Sequence, residues 1–263
     1  MIEPLLLEAA ANLSGAAQLK ADAQAELEAL GEAERKGAPG LPAVTSIVRV
    51  GPPAREILKS AKDSAAALVV MGTQGLGGLR KLFFGSIAEK VLSDAAVPVL
   101  AVPLPESAGT GAERAPDSDA GVPDIDVVIA SVELDASAEA VIGHAVSFAK
   151  GFGLPVTLLH VVPPVEGMPR AVEAARAAER LHEMNAQTRL AELAGRIRGE
   201  VEVEVEIRGG SAAEEIAAAA ATRHALVTIT SGGGNAHHRP GSIAYRVLCL
   251  SEAPVLAVPF RRF

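Results

Sequence analysis

The sequence predicts an α/β protein made of two tandem repeats, each a parallel sheet with helices on both faces, the first repeat lacking its opening strands. Three observations predict it. One pattern is written twice: VPVLAVPL (Val97–Leu104) returns as APVLAVPF (Ala253–Phe260), GSIAEKVL (Gly85–Leu92) as GSIAYRVL (Gly241–Leu248), and ALVVMGTQG (Ala67–Gly75) as ALVTITSGG (Ala225–Gly233). Apolar runs of strand length alternate with helical stretches, which is the pattern of βαβ units. The apolar content is 49 % with only 3 % aromatic residues, so the core is built of Val, Leu, Ile and Ala, as suits a sheet covered on both sides.

The second copy is the fuller one. Ile125–Ser131 (IDVVIAS) reads as a buried strand, and a helix follows over Ser137–Lys150 until Gly151 and Gly153 stop it. Pro155–Val162 (PVTLLHVV) is a second buried strand, and two prolines lead into a long Ala-, Glu- and Arg-rich helix over Ala171–Ile197. Val201–Ile207 alternates Val with Glu, the period of a half-exposed strand near a sheet edge. A helix over Ala212–Arg223, a strand over Ala225–Thr230, a glycine loop, a helix from Ser242 and a strand over Pro254–Pro259 complete it. The first copy is shorter, with helices over Ala16–Lys36, Ala54–Ala65 and Ser86–Ala95 and strands over Ala43–Val50, Leu68–Gly72 and Val97–Val102. Carrying the offset of the repeat back places Pro4 opposite Pro163, so the equivalents of strand one, helix one and strand two are missing. The boundaries read as 1–104 and 124–263, joined by a Pro-, Gly-, Ser- and Asp-rich linker over 105–123.

Composition narrows function. A net charge of −8 argues against a broad nucleic-acid or anionic-membrane surface. The single cysteine, Cys249, excludes an intrachain disulfide framework and suits a reducing compartment. No apolar run approaches the roughly 18 residues that read as a membrane span, and the acidic, lysine-free opening MIEPLLLEAAANLSG is no signal peptide, so the expected location is cytoplasmic. No Ser-His-Asp set, carboxylate pair or metal box stands out, and no enzymatic role is expected. His237 and His238 read as solvated loop, His160 as a strand-end packing residue and Cys249 as a small buried hydrophobe.

The chemistry lies in MGTQGLGGLRKLFFGSIAEK, Met71–Lys90. A buried strand runs into a glycine-rich loop that ends where a helix begins at Gly85-Ser86. Gly72 and Gly75 let backbone approach an anion closely. Ser86 is a good N-cap, and its hydroxyl can reach a phosphate oxygen. The free amides and positive dipole end of the following helical turn favour an anion, at the carboxyl end of a parallel strand where such folds bind ligands.

Gly72, two residues, Gly75, nine residues, Gly85 and Ser86 match the G-x2-G-x9-G-[S/T] nucleotide motif, and with the flanking VVMGT, VPVLAVP and LLHVV the chain resembles the universal stress protein family over all but its linker. The resemblance implies Rossmann-like domains with strand order 3-2-1-4-5 that bind an adenine nucleotide, ATP foremost, and act in stress regulation. It implies that Met71, Gly72, Gly75, Gly85, Ser86 and Ile87 contact ribose and phosphates; Arg80 and Lys81 lie in the spacer, and no magnesium site is assigned. It also implies pairing of the two repeats through their last strands, Val99–Val102 against Val255–Val258, as an intrachain pseudo-dimer, leaving open a further homodimer.

The chain departs from that pattern. The first copy has no aspartate-bearing strand one and no strand two to wall the adenine. In the second, Val132 stands where the aspartate belongs, with Asp135 displaced by three residues, and Thr230 replaces the first loop glycine. The second site therefore reads as degenerate, and the alternative function is a nucleotide-independent interaction module. The missing strands would leave strand Leu68–Gly72 with a bare edge. Three repairs are open: Ala43–Val50 slides beside it, another polypeptide fills the gap, or the true start lies upstream of Met1.

Overall fold

A computed structural model describes residues 3–37, 43–73, 85–103, 124–164, 172–231 and 242–260. Residues Met1–Lys59 and Ser60–Phe263 form two compact units.

The larger unit carries a seven-stranded sheet. Its strands are β1 (Val69–Gly72), β2 (Val99–Val102), β3 (Val127–Ser131), β4 (Val156–Val162), β5 (Val203–Gly209), β6 (Ala225–Thr230) and β7 (Val255–Val258), in the order β1-β2-β7-β6-β3-β4-β5. Within the second repeat the order is 3-2-1-4-5 and every pairing is parallel. β1 and β2 are strands four and five of the first repeat, also parallel. The repeats join where β2 meets β7 antiparallel, with Val99 opposite Ala257, Leu100 opposite Leu256 and Ala101 opposite Val255. Because Val99 and Val255 are repeat equivalents, as are Ala101 and Ala257, this register is that of a two-fold axis through the Leu100–Leu256 pair.

Helices α3 (Ser86–Asp94), α4 (Ala138–Phe152), α5 (Val172–Ile197), α6 (Ala212–Arg223) and α7 (Ile243–Leu250) follow strands as the alternation requires. Val141, Ile142 and Ala145 of α4 and Leu190, Leu193 and Ala194 of α5 pack with Val128, Ala130, Leu158, Leu226 and Leu256 in one core. Gly153 ends α4 in the left-handed region at φ 67°, where a residue without Cβ bears no steric penalty. The expected edge strand is β5, with Glu204 exposed and Glu206 and Arg208 at its outer end bonded to each other. α3 and α7 are repeat equivalents down to their buried residues, Ala88, Val91 and Leu92 against Ala244, Val247 and Leu248.

The smaller unit contains α1 (Glu3–Gly37) and the first residues of α2 (Pro53–Asp63), which continues past Lys59. One expectation fails here: Ala43–Val50 forms no strand. Its repeat equivalent, β5, is a strand because β4 offers it a backbone ladder. Among the described residues the first repeat has no equivalent of β4. Its backbone groups turn to a side chain instead: the Gln24 amide of α1 donates to Ser46 O at 2.8 Å and accepts from Val48 N at 2.9 Å. A strand-like stretch forms a strand only where a partner exists.

Candidate functional site

The candidate loop leaves β1 and returns at α3. At its exit Thr73 N donates to Val102 O at 3.1 Å, as Ser231 N does to Val258 O at 2.8 Å in the other repeat. Gly85 N donates to Thr73 O at 3.2 Å, which brings the carboxyl end of β1 beside the amino end of α3. Met71 is half-buried and Gly72 exposed at the end of β1, and Ser86 and Ile87 are exposed in the first turn of α3. Gly75, Arg80, Lys81, Phe83 and Phe84 lie outside the described residues, as do His237 and His238.

Ser86 is not the N-cap. That position falls on Gly85 (φ −59°, ψ 137°), and the helix opens with Glu89 N donating to Gly85 O at 2.9 Å. Ser86 is thus the first helical residue, and its hydroxyl has no call from an N-cap bond. The amides of Ser86, Ile87 and Ala88 have no acceptor within the helix, as for any first turn, and carry the positive end of its dipole. In the second repeat the cap falls one residue later along the motif: Ser242 caps α7 by accepting from Tyr245 N at 3.2 Å. The φ of Gly85 suits any residue, and among the described residues an added Cβ would meet only Thr73 O, at an ordinary 3.6 Å.

Around β1 the two repeats diverge. Leu68 and Val70 are 37 % and 60 % exposed, whereas their equivalents Leu226 and Thr228 are both 0 %. Leu100 and Val102 of β2 are partly covered, while Leu256 and Val258 of β7 are buried. All four first-repeat positions lie on the face that α4 covers in the second repeat. The wall that strands one and two would supply beside the loop has no counterpart among the described residues of the first repeat.

The second repeat has those strands but spends its polar groups internally. Val132, at the expected aspartate position, is buried. Asp135 Oδ1 accepts from Ser137 N at 2.8 Å and from Ser137 Oγ at 2.6 Å, which commits it to opening α4. A ring nitrogen of His160, Nδ1, lies 2.8 Å from Val132 O, tying β4 to the exit of β3, in keeping with a strand-end packing role. Cys249 is half-buried rather than fully enclosed, because it shares the exposed flank of α7 with Tyr245. Burial pushes the Tyr245 phenol up, and Cys249 and Glu89 add to the effect.

Sequence reasoning missed one repeated device. In both copies an arginine, a glycine two residues on and a glutamate five residues beyond that form a corner: Gly51 (φ 150°) and Gly210 (φ 143°) would each drive a Cβ against the Glu56 or Glu215 Cγ, at 3.1 and 3.2 Å. Arg49 reaches Glu56 at 4.0 Å, and Arg208 reaches Glu215 at 3.5 Å. The signal was the spacing R-x-G-x4-E, present twice. Among the described residues, no group of three His, Cys, Asp or Glu is placed to hold a metal, and no helix is long and apolar enough to cross a membrane.

These features define a class: a tandem doubly wound α/β protein whose repeats pair through their last strands and carry loops at the carboxyl ends of parallel strands. A model of the universal stress protein family matches residues 2–103 and 125–259, and the chain belongs to that family. A universal stress protein of Thermus aquaticus is 43 % identical over 70 residues, which cover 27 % of this chain and 51 % of that protein. One of Methanocaldococcus jannaschii is 46 % identical over 56 residues, 21 % of this chain and 33 % of its own length. The matched stretch thus spans about half or less of these curated relatives. A crystal structure of a universal stress protein from Archaeoglobus fulgidus superposes with a TM-score of 0.63 over 92 % of this chain and 77 % of that one, at 21 % identity, a likeness of fold.

Proposed function

We propose that this chain is a non-catalytic, cytoplasmic regulatory protein of the stress response that binds an adenine nucleotide, ATP foremost, at the loop of its first repeat. Met71, Gly72, Gly75, Gly85, Ser86 and Ile87 line the site, within a repeat bounded at 1–104 and tethered through 105–123 to a second repeat at 124–263. The observation that carries the reading is the closure of Gly85 N on Thr73 O at 3.2 Å, which sets the end of β1 against the first turn of α3. First-turn amides with no helical acceptor then lie next to the end of a parallel strand, an arrangement that favours a polyphosphate. Glycine at 85 supports it too, because neither its φ nor its packing among the described residues requires one. The nucleotide would act by ordering the loop and so shifting partner affinity; among the described residues of the site nothing is arranged to speed hydrolysis.

Calorimetry with ATP tests this. Gly85→Ala is expected to keep or slightly raise stability, as compatible Gly→Ala changes do by about 0.4–1 kcal/mol, while weakening ATP at least about tenfold, roughly 1.4 kcal/mol. A folded wild-type chain that takes no ATP would overturn the reading. The second reading, a nucleotide-independent interaction module, is favoured by the uncovered face of β1 and would then stand. Pairing of whole chains into homodimers is a further element of the proposal, measured by sedimentation.

A further inference from the structure

We propose that Glu89 and Tyr245 key the seam between the repeats, so that the first repeat pairs with a neutral, tyrosine-bearing helix such as α7 and rejects a second copy of itself. The register of β2 and β7 places a two-fold axis at the Leu100–Leu256 pair, and α3 and α7 are mates about it. Over Ile87–Asp94 and Ile243–Leu250 the two helices share one burial pattern, position by position. Glu89 and Tyr245 are half-buried as one pair of mates, and Ser93 and Cys249 as another.

Helix α6 settles which flank of α7 faces the seam. It packs beside α7, and Arg246 reaches Glu214 of α6 at 3.0 Å. Tyr245 and Cys249, one helical turn apart, therefore lie on the flank turned away from α6 and toward α3. The same axis turns Glu89 and Ser93 of α3 toward α7. Burial raises the Tyr245 phenol most, Cys249 next, and then the charge of Glu89 itself, in keeping with that placement.

A two-fold seam makes the identity of each mate count, because a repeat joined to its own copy sets every seam residue against itself. Two first repeats in this register would set Glu89 against Glu89, like charges on half-buried ground. Lys90, the one cation of α3, is held by Asp94 at 2.8 Å and does not offset them. The observed pairing instead places a single carboxylate beside an uncharged phenol. Ser93 and Cys249 are both small and neutral, so that pair of mates admits either arrangement and the choice falls to Glu89 and Tyr245. Like-charge juxtaposition of this kind suppresses a wrong partner without adding a contact to the right one.

Full-length variants test both parts of the proposal. Tyr245→Glu sets two carboxylates across the seam, and Tyr245→Gln is its uncharged control. With Glu89 in place, Tyr245→Glu is expected to lose at least about threefold in folding equilibrium constant relative to Tyr245→Gln, read from urea midpoints; with Glu89→Gln the two should agree. Equal stability of the two with Glu89 in place, or a gap that Glu89→Gln leaves unchanged, would overturn the facing pair. Selectivity is read without touching Tyr245. Ser93→Cys combined with Cys249→Ser leaves one thiol, on the seam flank of α3, and a short bismaleimide then joins two chains only where first repeats meet. Little joined dimer is expected with Glu89, and at least about threefold more when Glu89→Gln is added. Abundant dimer with Glu89 in place, or no rise on Glu89→Gln, would overturn the selectivity. Neither arm involves nucleotide, so the ATP reading stands or falls separately.

Discussion

Leu68 and Leu226 occupy the same place in the repeated pattern, the second residue of ALVV and of ALVT, at the start of the segment that leads through a strand to a loop and a helix. Leu226 is fully buried beneath α4, and Leu68 is a third exposed. Thr228, a polar residue, is wholly enclosed, while Val70, an apolar one, stands in the open. Burial here follows the neighbours that a strand acquires, and only loosely its own hydrophobicity. The second repeat owns the β3–α4–β4 unit that covers that face, and among the described residues the first repeat has no counterpart.

The contrast can be broken most sharply by truncating the two leucines. Leu226→Ala should cost about 2–5 kcal/mol, the range for emptying a packed core position, whereas Leu68→Ala should cost well under about 1 kcal/mol, since little contact is lost at an exposed site. Urea midpoints at equal m-values measure both, and equal losses would show that β1 is covered in solution. A smaller difference is expected at the two loop serines. Ser242→Ala removes a cap that holds Tyr245 N and should cost about 1 kcal/mol. Ser86→Ala removes no cap, because Gly85 sits at that position, and should change stability by no more than about 0.5 kcal/mol.

The smallest expected effect reads the seam between repeats. Tyr245 is the chain's one tyrosine, so phenolate absorbance reports it alone. Its titration should run above the ordinary phenol range, chiefly through burial, and Glu89→Gln should bring it down slightly by removing a negative charge that α3 of the first repeat presents to α7 of the second. The sign carries to stability: the unfolded chain loses this proton first, so the folded state loses ground as pH climbs past the ordinary phenol value. A titration untouched by Glu89→Gln would mean that the two helices do not face each other in solution.

Much of this architecture was legible in the chain. The duplicated VPVLAVP and GSIA segments announced two repeats, and the resemblance to the universal stress protein family implied that they pair through their last strands, which meet about Leu100 and Leu256. Val-Glu alternation placed β5 at an edge. Sequence misplaced Ala43–Val50, because strand-like composition does not say whether a ladder is on offer; Gln24 supplied hydrogen bonds instead. It also put the first helix cap on Ser86, one residue late, since a Gly-Ser pair can cap through either residue and the bond of Gly85 N to Thr73 O decides between them. The Arg-Gly-Glu corner went unread although its spacing was there twice, because only folding shows that the glycine's φ near 150° turns a glutamate back toward the arginine.

What the amino-acid sequence determined alone is local or periodic: which stretches are strands and helices in the second repeat, where glycines must sit, and that one pattern is used twice. Tertiary structure decided which of those strands find partners and which faces find cover. The physical reason is that a helix satisfies its own backbone, whereas a strand's hydrogen bonds and half of its burial belong to whatever lies beside it.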